Sequence, residues 1–198
     1  MSLASKLTFF RIILAPVFFA VYMLPRFCPS WFVHSSALTI PILWIIFIIS
    51  QVTDLLDGIA ARKLNEVSDF GKLFDPFADT IMQLTCFLCF VIDDIFPAFL
   101  FLLVIYREFS ILFIRNLMLT KGAALGARMG GKIKTVIYII AGGAALLTAS
   151  IQRLKILESL LPYFKTGTII IFTVSVVISI ASFIDYLLIY QKAVQKTK

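Results

Sequence analysis

The sequence predicts an all-α integral membrane protein whose helices cross the bilayer about six times. Three observations carry that expectation. Of the 198 residues, 61% are hydrophobic, against roughly 45–50% in a soluble domain. The mean hydropathy is +1.00. The apolar residues also gather into runs of about 20, the length a helix needs to cross the hydrocarbon core. A single membrane domain over 1–198 is expected, with no room for a second, soluble one.

The first run, Leu7–Leu24, closes on "PRFCPS". No small-residue cleavage site follows it, so it reads as a retained span rather than a removable leader. The second run is Ala37–Ala60, and the third, Leu73–Ile92, stops at "DDIFP". The fourth, Phe96–Leu117, is followed by the glycine-rich, basic "TKGAALGARMGG", and the fifth is Ile133–Ile151. From Ile151 to Lys165 charged and leucine-like residues alternate, the pattern of a short amphipathic helix lying in the outer interface. Thr168–Tyr190 is the sixth span. No internal repeat marks the chain as a transporter built from inverted halves.

A formal charge of +7 can mark a nucleic-acid partner, but in a membrane protein the distribution of cations between loops sets orientation instead. With the N-terminus inside, fourteen of the 18 Lys and Arg residues fall on the cytoplasmic side, leaving Arg26, Arg153, Lys155 and Lys165 outside. That bias predicts an N-in, C-in topology, a lipid bilayer as surroundings and no nucleic acid. Cys28, Cys86 and Cys89 are too few for a disulfide framework. Cys86 and Cys89 lie in an apolar run without the second pair or histidine that a zinc site needs, and read as packing thiols.

Carboxylates are expensive near lipid, yet Asp54, Asp57, Asp75 and Asp79 fall within 26 residues of one another, at the cytoplasmic ends of the second and third spans. At about 100° per residue, Asp57 lies about 60° from Asp54 around the helix, with Gly58 and Ala61 on the same face and Arg62 beside it. Gly71, Asp75 and Asp79 share a face of the third helix within about 80°. Four mutually repelling carboxylates call for a cation, and all-oxygen ligation favours a hard ion, Mg²⁺ or Mn²⁺, with room for two. The small residues leave space beside the carboxylates, and Arg62 offers a fork for phosphate oxygens. Glycine and alanine in spans also serve helix–helix contacts, and Arg62 and Lys63 also serve as positive-inside anchors. The whole set, however, reads as a phosphate-ester site.

The pattern D-x2-D-G-x2-A-R-x8-G-x3-D-x3-D, filled by Asp54, Asp57, Gly58, Ala61, Arg62, Gly71, Asp75 and Asp79, resembles the signature of the CDP-alcohol phosphotransferase family. The resemblance implies a six-helix membrane enzyme, usually a homodimer, that displaces CMP from a CDP-linked lipid or alcohol. It implies that the four aspartates hold two metal ions and that Asp79 is also the general base. Gly58, Ala61, Arg62 and Gly71 would line the CDP site, with Thr8 at its edge.

"LTFFR" at 7–11, "YREF" at 106–109, Arg115, "GKIKT" at 131–135 and "SFIDY" at 182–186 are similar to the branch of that family that transfers a phosphatidyl group from CDP-diacylglycerol to glycerol 3-phosphate in phospholipid synthesis. That likeness implies an inner membrane of bacterial type, with the active site facing the cytoplasm. Arg11, Arg107, Arg115, Lys132 and Lys134 are then the candidates for the acceptor phosphate. Thr80, Tyr138 and the pair Ser5 and Lys6 depart from the branch, which commonly carries lysine, glutamine and an asparagine-containing run there. The same chemistry on inositol phosphate, serine or a diacylglycerol receiving phosphocholine is the alternative, and a divalent-cation transporter is a further one.

Overall fold

The computed structural model describes residues 3–27, 36–64, 69–120 and 129–196, and side chains for 8–27, 38–53, 74–118, 131, 133–188 and 190–191. Its six long helices are α1 (Leu3–Phe27), α2 (Ser36–Leu64), α3 (Asp69–Ile92), α4 (Ala98–Thr120), α5 (Met129–Leu154) and α6 (Leu161–Lys196). Among the described residues, four segments are long and apolar enough to cross a membrane: Thr8–Phe27, Phe74–Ile92, Ile133–Leu154 and Glu158–Leu188. In α2 the apolar stretch Leu38–Thr53 is shorter, while α4 carries Arg107, Glu108 and Arg115 inside its run.

The outer surface of the bundle is largely apolar, and polar groups are buried inside it beside an apolar core. Ile13, Val17, Ile45, Ile48, Phe113, Val136, Val174 and Val177 are exposed, whereas Arg11, Ser50, Arg107, Glu108, Thr148, Ser175 and Ser179 are buried. That distribution suits a lipid solvent, which accepts apolar faces and leaves polar groups to find partners within the protein.

Tertiary contacts order the helices. At one end Thr8 and Arg11 of α1 bond to Asp75 and Asp79 of α3. At the other end Asp93, just past α3, accepts hydrogen bonds from the Tyr22 hydroxyl (2.8 Å), Arg26 (3.1 Å) and Arg153 of α5 (2.9 Å). The first, third and fifth helices therefore run the same way. Trp44 of α2 reaches Ser150 of α5 at 3.2 Å, so α2 runs opposite. In α4, Ile114 and Met118 pack on Tyr186 of α6, and α6 folds back on α5, where the Thr148 and Thr168 hydroxyls share a 2.8 Å hydrogen bond. The start of α1 and the end of α6 therefore lie at the same end of the bundle.

Between these ends the core is aromatic. Phe87 of α3 meets Phe96, Tyr138 and Phe172 edge-on at 5.2–5.4 Å between ring centroids. Phe96 and Phe172 stack at 3.7 Å. Edge-to-face contacts of this kind satisfy the ring quadrupoles and fix orientation as well as volume. Cys86 and Cys89 are buried free thiols in the same core, as packing residues should be.

Two connections are built from local chemistry. After α3, Asp94 takes a left-handed φ of 55°. The amides of Ile95 and Phe96 return to the Phe90 carbonyl at 2.9 and 3.2 Å, which closes the helix before Pro97 prevents its continuation. After α5, Lys155 and Leu157 both have φ of 52°, and a 3-10 turn, Glu158–Leu160, leads into α6. The amphipathic interfacial helix expected over Ile151–Lys165 is therefore not a separate element. Its first residues end α5 and its last residues, from Leu161, begin α6. Pro162 in the first turn of α6 explains the start, since its missing N–H has no partner to lose there.

Candidate active site

The two aspartates of α3 that are described sit one turn apart, so helical periodicity alone puts Asp75 and Asp79 on one face. What holds them is α1. Thr8 donates its hydroxyl to Asp75, and Arg11 donates Nη1 to Asp79. Arg11 is 1% exposed, whereas the Asp79 side chain is 41% exposed. The cation is thus packed into the bundle while the carboxylate opens onto a cavity.

That cavity has a volume of about 270 Å³. Ser50 and Gln51 of α2 and Asp79, Thr80 and Gln83 of α3 form one wall, and Arg107, Glu108 and Arg115 of α4 with Lys134 and Tyr138 of α5 form the other; Arg11 also lines it. Cations scattered over more than 120 residues of sequence, Arg11 to Lys134, therefore face one carboxylate across one space. Of the departures from the branch, Thr80 and Tyr138 line it as well, and the side chains of Ser5 and Lys6 lie outside the described residues.

Arg107 is buried, and donates Nη1 to Glu108 at 2.8 Å and Nε to the Ser179 carbonyl at 3.3 Å. Lys134 donates to the same Glu108 oxygen at 2.9 Å. Arg115 makes no hydrogen bond or ion pair among the described residues and lines the cavity. Of the expected acceptor cations, Arg11 thus engages Asp79 directly, and Thr8, expected beside CDP, engages Asp75. Glu108 is a residue of the cavity wall that the sequence does not mark, because in "YREF" only the arginine has an evident use for phosphate.

Asp54, Asp57, Gly58, Ala61 and Arg62 belong to α2, and Gly71 belongs to α3, but their side chains lie outside the described residues, as does that of Lys132. Asp54 and Asp57 follow Ser50 and Gln51 of the cavity wall by about one and two turns. Among the described residues no three potential ligands come together. The oxygen donors present, Asp75 and Asp79, are nonetheless the type that a hard divalent ion takes.

A six-helix membrane bundle with carboxylates and cations around one cavity defines a class, and the comparison with known proteins agrees. The chain belongs to the CDP-alcohol phosphatidyltransferase family, whose model matches residues 1–189. A CDP-diacylglycerol--glycerol-3-phosphate 3-phosphatidyltransferase of Treponema pallidum is 36% identical over 193 residues, 94% of this chain and 88% of the relative. The Bacillus subtilis protein of that name is 37% identical over 148 residues, 74% of this chain and 77% of the relative. One from Haemophilus influenzae is 30% identical over 188 residues, 91% and 89% of the two chains. The chain is thus a multi-pass membrane protein of this family.

Proposed function

We propose that this protein transfers the phosphatidyl group of CDP-diacylglycerol to sn-glycerol 3-phosphate, giving phosphatidylglycerophosphate and CMP. The relatives' names support the overall reaction. The observation that carries the site assignment is the cavity that Asp79 lines together with Arg107, Arg115 and Lys134. A phosphate monoester carries roughly 1.5 to 2 negative charges near neutral pH. Those cations suit its phosphate, while Asp79 lies where a neighbouring hydroxyl would be met.

Asp54, Asp57, Asp75 and Asp79 would hold the divalent ions, Mg²⁺ or Mn²⁺. Bound there, such ions would neutralise the pyrophosphate oxygens on which charge builds during displacement. The remaining steps belong to the chain's own residues. Arg115, Arg107 and Lys134, with Lys132 following them in sequence, bind the acceptor phosphate. Asp79, oriented by Arg11, takes the proton of the glycerol 1-hydroxyl. The oxygen so freed forms a bond to the phosphorus that carries diacylglycerol, and the bond from that phosphorus to the CMP oxygen breaks. Gly58, Ala61, Arg62 and Gly71, with Thr8 supporting Asp75, accommodate the CDP moiety. Positioning and charge neutralisation do most of the work in such transfers.

The active site faces the cytoplasm in this reading, on the strength of the cation bias between the two sides. The protein acts as a homodimer, as the family resemblance implies. Purified protein mixed with CDP-diacylglycerol, Mg²⁺ and one acceptor at a time tests the reading by CMP release. Glycerol 3-phosphate should support release, and serine should not. Preference for inositol phosphate would reassign the acceptor, and an absence of CMP with every acceptor would refute the enzyme.

A further inference from the structure

The cationic wall of the cavity contains a carboxylate that the reaction above does not use. Glu108 is 5% exposed, and its Oε1 accepts from Arg107 at 2.8 Å and from Lys134 at 2.9 Å. The contacts around it close into a ring. Arg107 Nε donates to the Ser179 carbonyl at 3.3 Å, the Tyr138 hydroxyl donates to Ser179 Oγ at 2.7 Å, and the Lys134 ammonium lies 4.7 Å from the centre of the Tyr138 ring. Three helices, α4, α5 and α6, are joined this way. Four of the five members line the cavity; Ser179 stands behind them.

We propose that Glu108 is a positioning residue for the acceptor phosphate, holding Arg107 and Lys134 at a fixed spacing and setting the net charge of the wall that receives it. This rests on the reading that the cavity takes glycerol 3-phosphate. Two long basic side chains converging from separate helices repel each other, and each has many rotamers. A shared carboxylate oxygen removes both problems, because the two cations converge on one point while each keeps further N–H groups to donate. Among the described side chains of that wall, Arg107, Arg115 and Lys134 contribute +3 and Glu108 contributes −1, leaving +2 opposite a phosphate of roughly −2. An ion triad of this kind far from the cavity would be a packing device. Here the ligand meets the same cations, so the arrangement of the triad is read out in acceptor binding.

The test uses the full-length protein with Glu108→Gln, which keeps the shape and loses the charge, and Glu108→Asp, which keeps the charge. Glu108→Gln should raise the KM for glycerol 3-phosphate roughly tenfold and leave the KM for CDP-diacylglycerol within about twofold, and Glu108→Asp should recover part of the loss. Inorganic phosphate, as an inhibitor competing with the acceptor, should weaken in parallel. If Glu108→Gln does not accumulate, Tyr138→Phe opens the ring at Ser179 with the charge intact, and should raise the acceptor KM alone by about threefold. An unchanged acceptor KM, or two KM values rising together, would overturn the proposal. Wild-type protein that releases CMP normally with glycerol 3-phosphate separates that failure from a failure of the underlying reading; inactive wild type would remove both.

Discussion

Arg115 offers the sharpest division between binding and stability. It lines the cavity and makes no hydrogen bond or ion pair among the described residues, so replacing it by methionine strands no partner and keeps most of the volume of the stem. Stability should therefore change by no more than about 0.5 kcal/mol. A guanidinium contact to phosphate is charge-assisted and often bidentate, worth about 1.5–3 kcal/mol. At about 1.4 kcal/mol per factor of ten, its loss should lower kcat/KM for glycerol 3-phosphate by about 10- to 150-fold. Arg115→Lys should fall between, since a point charge keeps attraction but loses the fork. The assay is steady-state CMP release with each substrate varied at saturation of the other, alongside thermal unfolding in the same detergent. An acceptor KM within twofold of wild type, or a parallel rise in the KM for CDP-diacylglycerol, would refute the assignment of Arg115 to the acceptor phosphate.

Asp79→Asn should lower turnover by about 10²–10⁴-fold, the range for a lost general base, while the protein still elutes as a folded species; near-normal turnover would sink the base assignment. Chelation should abolish CMP release, with recovery on adding Mg²⁺ or Mn²⁺; full activity in excess chelator would remove the metal from the reading. At the other end of the bundle, Asp93→Asn takes the charge from a carboxylate that Arg153, itself little exposed, and the Tyr22 hydroxyl both address. Unfolding should be easier by about 3 kcal/mol, and both KM values should stay put in the folded fraction. A selective rise in either KM would tie that clamp to the site.

Much of this protein is legible in one dimension. Lipid solvent demands long apolar helices, so hydropathy alone located five of the six to within about four residues, whereas α6 begins seven residues before and ends six residues after the apolar run Thr168–Tyr190. There Lys165 and Pro162 made the opening turns resemble an interfacial segment. Local geometry also made Asp75 and Asp79 a pair, because a spacing of four residues is one helical turn whatever the fold. The eight-residue aspartate signature carried the family for the same reason: its spacing is set within two helices and the short link between them.

Convergence could not be read that way. No periodicity in the chain says that Arg11 of α1 meets Asp79 of α3, or that Arg115 and Lys134 share a cavity with both. Those contacts depend on which helices pack together and at what height. Glu108 shows why. Beside Arg107 in sequence it occupies a position that does not face its neighbour on an ideal helix, and its second partner, Lys134, is on another helix. A lone glutamate in an apolar run is therefore silent in the sequence, and becomes the junction of two cations only when α4, α5 and α6 close around it, because burial leaves its charge no water to turn to.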